Sequence, residues 1–269
     1  MPLEKDAYKS IIVDLDRETK VATATLNRPE ALNAIGQSML DDFSRLWRWV
    51  RDDDDVNAVV VRATQESRAF TSGADVRPAE QGGDRLTRHP NVFVNKSVFD
   101  QLSPRMAYVW KPVIVAVHGV CAGAGLFIVN EGDIVLCADD AQFFDPHLSI
   151  GITSALGPVG MSRRVNLGEV LRYTLLSNAE RLGAETALRI GLVTEVTTRD
   201  KLWSRADELA RLVAGYDTVA VQGSLKAIWE SQELGRKAGL ERAQLYSDAA
   251  RSSSGNTLQR TERKPYAVR

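Results

Sequence analysis

The chain has 269 residues, 44% of them hydrophobic and 26% charged, with a formal net charge of −1 at pH 7. That is enough chain for one large domain or two small ones, with the composition of a soluble globular protein. The near balance of charge leaves no electrostatic footprint for nucleic acid or an acidic membrane and argues against both as partners.

In chain order, residues 10–15 and 21–26 are β-rich in rough alternation, and the polar residues 16–20 between them predict a hairpin. Asn27-Arg-Pro29 ends the second strand. Residues 39–50 carry apolar side chains at helical spacing, and the aspartates at 52–55 read as a solvated loop. Residues 57–62 predict a strand that runs into a turn of small residues, Ser67-Arg-Ala-Phe-Thr-Ser-Gly-Ala-Asp-Val76. The polar stretch 80–88 reads as mobile, and residues 93–110 as a helix kinked at Pro104. Residues 112–117 form an apolar run with the character of a buried strand. Residues 133–138 and 141–144 predict strands, Asp145-Pro-His147 a bend, and 151–157 a loop. Thereafter the pattern is helical over 159–165, 168–176, 184–189, 202–214, 219–232 and 239–252, with one β-like run at 191–196. Strands alternating with helices, then helices alone, predict an α/β core over residues 1–197 followed by a helical region over 198–269. Trp203, Val213, Trp229, Leu245 and Tyr246 give the later helices more apolar surface than a solvated bundle needs, which suggests docking on another subunit.

The stretch with most chemical content is His118-Gly-Val-Cys-Ala-Gly-Ala-Gly-Leu-Phe-Ile-Val-Asn-Glu131. Small residues at Ala122, Gly123, Ala124 and Gly125 make a turn almost without side chains, and a helix starts there. Its first N–H groups lack internal partners and suit a ligand oxygen that gains negative charge, such as a thioester carbonyl. The same pattern equally fits glycines that only allow tight packing. A dinucleotide fingerprint fits less well, since Ile128 stands where its third glycine would be. Cys121 and Cys137 read as buried thiols of a cytoplasmic protein rather than a disulfide. The first residues show no signal pattern, and no apolar run reaches membrane length. His89, His118 and His147 are too far apart in sequence to predict a metal site.

Five motifs occur in order: Asn27-Arg-Pro-Glu-Ala-Leu-Asn-Ala34, Ala69-Phe-Thr-Ser-Gly-Ala-Asp75, Lys111-Pro-Val-Ile-Val-Ala-Val-His-Gly119, Ala122-Gly-Ala-Gly125 and Asp133-Ile-Val-Leu-Cys-Ala138. Together with Glu262-Arg-Lys-Pro265 they resemble the crotonase (enoyl-CoA hydratase/isomerase) superfamily over nearly the whole chain. The resemblance implies a ββα spiral core with a C-terminal helical trimerisation region, a homotrimer or dimer of trimers, and an acyl-CoA thioester substrate. It implies no separate cofactor, coenzyme A being part of the substrate. It assigns the two N–H groups of an oxyanion hole to Ala74 and Ala124. It places Ala31, Leu32, Ser72, Gly73, Val76 and Gly123 along the CoA-binding turns, and Lys264 near the CoA phosphates, although a solvated surface lysine is an equal reading of Lys264.

The chain also departs from the family pattern. The positions that carry two glutamates in family hydratases hold Phe127 and His147, and a third position, an aspartate in some relatives, holds Ala155. Phe127 cannot transfer protons. His147 titrates near neutrality and is the best candidate acid/base, or else fills the pocket. Asp145 either orients it or is turned away by Pro146. Glu131, one helical turn after Phe127, is a second candidate, with a buried ion pair as its alternative role. His118 reads as structural and His89 as solvated. The expectation is an acyl-CoA-processing enzyme that stabilises a thioester enolate. The alternatives are a non-catalytic acyl-CoA binder, a divergent CoA-thioester hydrolase or C–C lyase, and hydration through Glu131.

Overall fold

The computed structural model describes residues 3–87, 91, 93 and 97–253. The sequence expectations for His89, Lys264 and Glu262-Arg-Lys-Pro265 lie outside these residues. The described chain forms two compact units, Met1–Tyr216 and Asp217–Arg269.

The first unit is built on two sheets. Strands β1 (Ile11–Asp16), β2 (Val21–Leu26), β3 (Ala58–Ala63), β5 (Val113–Val117), β7 (Ile134–Ala138) and β10 (Glu195–Thr197) form a six-stranded sheet in the order β1-β2-β3-β5-β7-β10. In this sheet, among the described residues, only β1 and β2 pair antiparallel, joined by the predicted polar turn. Strands β4 (Ala69–Thr71), β6 (Val120–Ala122), β8 (Gln142–Phe144) and β9 (Leu182–Gly183) form a smaller sheet. The chain therefore sends β3, β5 and β7 to the large sheet, and the strands that directly follow them, β4, β6 and β8, to the small one. This is the predicted ββα spiral.

The inner strands of the large sheet are apolar on both faces and alternate between two cores. In β5, Val113, Val115 and Val117 face the main core while Ile114 and Ala116 face the other side. Helix α1 (Gln37–Asp52) adds Met39, Leu40, Phe43, Leu46, Trp47 and Val50 to the main core. Their spacing of three and four puts them on one stripe. Helix α7 (Arg199–Ala214) covers the second face with Leu202, Ala206, Ala210 and Ala214 at every fourth position, small enough for close approach. That contact puts α7 in the first unit, which ends at Tyr216.

The remaining helices of this unit are α2 (Val98–Leu102), α3 (Gly125–Glu131), α4 (Leu156–Met161), α5 (Leu167–Leu176) and α6 (Ala184–Arg189). The long helix predicted over 93–110 is reduced, among the described residues, to α2. The Leu102 carbonyl is taken by Trp47 Nε1 at 2.9 Å, and Pro104 cannot donate to continue the ladder. The second unit holds two helices, α8 (Thr218–Ser231) and α9 (Arg236–Ser253). Cys121 and Cys137 are both buried and free. No helix among the described residues is long and apolar enough to cross a membrane.

Candidate active site

Three parallel strands of the small sheet end at one edge, and their registers decide what meets there. Thr71 of β4 pairs with Cys121 of β6, so the residues three positions further on, Ala74 and Ala124, leave the sheet side by side. Phe144 of β8 pairs with Ala122, and three positions beyond Phe144 lies His147.

The Ala74 turn is stitched to the loop before it. Ser72 donates to the Leu32 carbonyl at 2.9 Å, Ile35 to the Gly73 carbonyl at 2.7 Å, and Asp75 to the Ile35 carbonyl at 2.9 Å. Thr71 Oγ1 donates to the Asn33 carbonyl at 2.7 Å and accepts the Gly73 amide at 3.1 Å. Leu32 and Asn33 both hold left-handed backbone, φ +51° each, unusual for residues with a β-carbon. The Asn33 side chain keeps them there, bonded to Ser67 Oγ, to the Ala69 carbonyl and to the Arg28 amide. Gly73 has φ +93° and Gly123 φ +48°. The positive φ favours glycine at both, and at Gly73 a β-carbon would also lie 3.0 Å from the Ala122 carbonyl oxygen and 3.6 Å from the Ala124 nitrogen.

The amides of Gly73 and Asp75 on either side of Ala74, and of Gly123 before Ala124, all have acceptors. Gly123 donates to the Phe144 carbonyl, while Leu126 and Phe127 donate to the Gly123 and Ala124 carbonyls. Among the described residues neither the Ala74 nor the Ala124 N–H has an acceptor. Two unpaired N–H groups in adjoining turns, one of them on a buried residue, form a ready receptor for an oxyanion.

His147 stands beside this pair. Its Cε1 lies 3.6 Å from where a Gly123 β-carbon would be. Its Nδ1 is bonded to Asp145 Oδ1, which also accepts the His147 amide at 3.0 Å. Asp145 Oδ2 accepts Ser154 Oγ at 2.6 Å, and the Asp145 carbonyl accepts Ser177 Oγ at 2.7 Å. The Asp145 bond raises the His147 pKa above its usual value, against the effect of burial. Burial pushes Asp145 up, but the bonds from His147 and Ser154 outweigh it and hold the carboxyl low. Nε2 of His147 has no partner among the described residues. Of the two readings of Asp145, the one in which it contacts the imidazole is the one observed.

Leu32 and Ser72 are joined by their backbone bond; Ala31, before Leu32, is buried, and Val76, after Asp75, is exposed. Glu131 does not join them. It ends α3, roughly 10 Å along the helix axis from Ala124 at 1.5 Å per residue. Its Oε2 accepts Ser103 Oγ at 2.6 Å. Burial raises its pKa, outweighing that bond and the charges of Arg105 and Arg164. His118 is buried with Nε2 3.0 Å from the Ser67 carbonyl, and burial lowers its pKa.

A charged cluster behind Ala74 escaped the sequence reading. Asp75, its side chain wholly buried, binds Arg28 Nη2 at 3.0 Å and Arg77 Nη2 at 2.8 Å, and accepts the Asp84 amide at 3.1 Å. These bonds, Arg77 foremost, hold its carboxyl well below the usual range. Asp84 also takes the Ser38 amide at 2.9 Å, so the polar segment read as mobile is latched, in its described part, to the first turn of α1. Arg28 and Asp75 both lie inside quoted motifs, and their opposite charges were the available signal.

Residues 16–265 match the enoyl-CoA hydratase/isomerase family. A short-chain enoyl-CoA hydratase of Clostridium acetobutylicum is 34% identical over 217 residues, 80% of each chain. A 2,3-dehydroadipyl-CoA hydratase of Escherichia coli is 29% identical over 227 residues, 84% of this chain and 85% of that one. The crystal structure of an enoyl-CoA hydratase/isomerase from Mycobacterium paratuberculosis superposes with a TM-score of 0.80 at 32% identity, over 95% of this chain and 92% of that one. With a spiral of paired strands, and a sequence match running through both of the turns that leave an amide unpaired, the chain belongs to the enoyl-CoA hydratase/isomerase family, the crotonase superfamily, and is an enoyl-CoA hydratase-like enzyme.

Proposed function

We propose that this enzyme holds the carbonyl oxygen of an acyl-CoA thioester between the Ala74 and Ala124 amides and moves protons with His147 Nε2. The observation that carries the reading is the convergence of two unpaired amides and one unpartnered imidazole nitrogen at a single sheet edge. Enolisation puts negative charge on the thioester oxygen, where two preorganised donors act. Each such donor contributes about 3 kcal/mol to the transition state. Ala31, Leu32, Ser72, Gly73, Val76 and Gly123 would contact the CoA portion, largely through backbone atoms.

Hydration by two carboxylates does not fit these residues. Phe127, a buried hydrocarbon, stands on α3 where the resemblance puts the first glutamate, and Glu131 is committed to Ser103. One acid/base group then serves every proton transfer, so the imidazole accepts a proton and returns it within one turnover. The test is to mix the purified protein with crotonyl-CoA and follow the enoyl-thioester absorbance, with a glutamate-bearing family hydratase as control. The expected result is turnover that His147→Ala abolishes while binding of the CoA ester persists. Unchanged turnover in that variant removes His147 from the mechanism, and binding without turnover of any thioester favours the non-catalytic alternative.

Assembly as a homotrimer or dimer of trimers follows from the family resemblance. It is supported by the exposed apolar side chains Leu148, Ile150, Ile152, Leu156, Val159 and Leu167, which a monomer would leave in water. A monomer in sedimentation equilibrium would overturn it.

A further inference from the structure

We infer that Asp145 is the positioning residue of this site: it fixes the orientation and tautomer of His147 so that Nε2, not Nδ1, is the nitrogen offered to the substrate. The inference rests on the reading of His147 as the acid/base, and its test is separable from that reading.

The geometry is over-determined. Asp145 is 2% exposed, and both carboxylate oxygens are occupied. Oδ1 takes the ring nitrogen and the backbone amide of the same histidine, closing a tight turn around Pro146. Oδ2 is held from the other side by Ser154, nine residues on, just before α4. The backbone of Asp145 is clamped as well. Ser177 donates its hydroxyl to the Asp145 carbonyl and meets Ser149 Oγ at 2.9 Å, at the turn that follows His147. Ser177 itself holds a positive φ, +49° with ψ −124°, a cost that persists only where surrounding bonds demand it. Ser154 and Ser177 thus hold the aspartate, Ser149 backs Ser177, and among the described residues its only side-chain cation partner is the imidazole.

A carboxylate accepts but does not donate. Neutral His147 must therefore carry its proton on Nδ1 and present a lone pair at Nε2. After taking a proton at Nε2 the imidazolium stays bonded to the carboxylate, so the proton can be returned from the same atom. The other titratable groups that face the pair are Tyr173 of α5 and, behind it, Cys121. Burial raises the Tyr173 phenol well above its usual value and raises the Cys121 thiol too, so neither changes charge near neutrality. The protonation of His147 therefore answers to Asp145 alone among the described ionisable groups.

Asp145→Asn separates positioning from mere packing. The asparagine is isosteric, but its amide can donate to Nδ1 and hold the proton on Nε2, the wrong tautomer for a base. The measurement is nitrogen-15 NMR of the imidazoles across a pH titration. The chain has three histidines, which His89→Gln and His118→Gln assign by difference. In the unmodified enzyme His147 is expected as the Nδ1–H tautomer. In Asp145→Asn the Nε2–H tautomer takes over, the titration midpoint falls, and kcat on crotonyl-CoA drops by at least about tenfold with KM within about twofold. Ser154→Ala, a milder change, lowers the Nδ1–H fraction by freeing the carboxylate to rotate.

If tautomer and midpoint are the same in the unmodified enzyme and both variants, the inference is overturned, whatever happens to melting temperature. If they move as expected while His147→Ala remains fully active, Asp145 keeps its role toward His147 and the acid/base reading is what fails.

Discussion

Gly73 faces the Ala122 carbonyl so closely that a β-carbon on it would lie 3.0 Å from that oxygen. A β-carbon there would require the Ala122 carbonyl to give by a few tenths of an ångström, and φ +93° is strained for any side chain. Gly73→Ala is expected to push the turns apart and cost about 1–2 kcal/mol of stability. Turnover should fall far more than stability, because the spacing of the Ala74 and Ala124 amides sets how well they share one oxygen. Denaturant melts beside kcat/KM on crotonyl-CoA check this.

A backbone donor can be deleted where proline fits. Ala124 has φ −61°, already the proline value, so Ala124→Pro removes the N–H with little change in φ. The expected loss is on the order of 10²–10³ in kcat, with the circular dichroism spectrum retained.

The buried Asp75 links the loop carrying Arg28 to the turn carrying Ala74. Asp75→Asn strands two arginines and is expected to lower stability at pH 7 by about 3 kcal/mol. The sign with pH follows from the depressed folded pKa. The stabilisation is complete above the unfolded value, about 4, and is lost as pH falls through the lower folded value. The gap between the two proteins in urea melts should therefore close on acidification and not on going to pH 9.

Lys111 is buried at the C-terminal end of α1, where Nζ donates to the Val50 and Asp53 carbonyls at 2.7 and 2.6 Å. These are carbonyls the helix itself leaves unpaired. Lys111→Met should lower the unfolding free energy by about 2 kcal/mol and leave KM for the CoA ester unchanged.

Because the bond to Asp145 raises the pKa of His147 and the base form is the deprotonated one, activity should rise with pH through a midpoint above the ordinary 6.5. A pH–rate profile of kcat/KM reads that limb directly. In Asp145→Asn the limb should move to lower pH.

Period and turn chemistry made much of this molecule readable from its residues. The 16–20 hairpin turn, the α1 stripe and the all-apolar β5 each have one pattern and one partner surface. Of the three-residue strands, β8 was legible as residues 141–144, but β4 and β6 are too short to show a period. Their roles come from a register that only the folded sheet sets, which is why β6 went unread although it delivers Ala124. Residues 79–87 are polar by composition, yet Asp84 is anchored across the loop to Ser38 and Asp75, a pairing that local sequence cannot express. Asp145 was visible as a neighbour of His147, but Pro146 between them left its direction open until the bond was seen.

The two cysteines turn the fold into its own stopwatch. Both are buried in the sheets, and burial pushes the Cys137 thiol up to about 12 and the Cys121 thiol higher still. A disulfide reagent finds no thiolate on the native molecule, so each labelling event must wait for an opening. Cys121 lies in the strand that delivers Ala124, and Cys137 in the large sheet. Comparing the rates at which the two are captured would time how often the edge that carries Ala124 loosens against how often the whole domain comes apart.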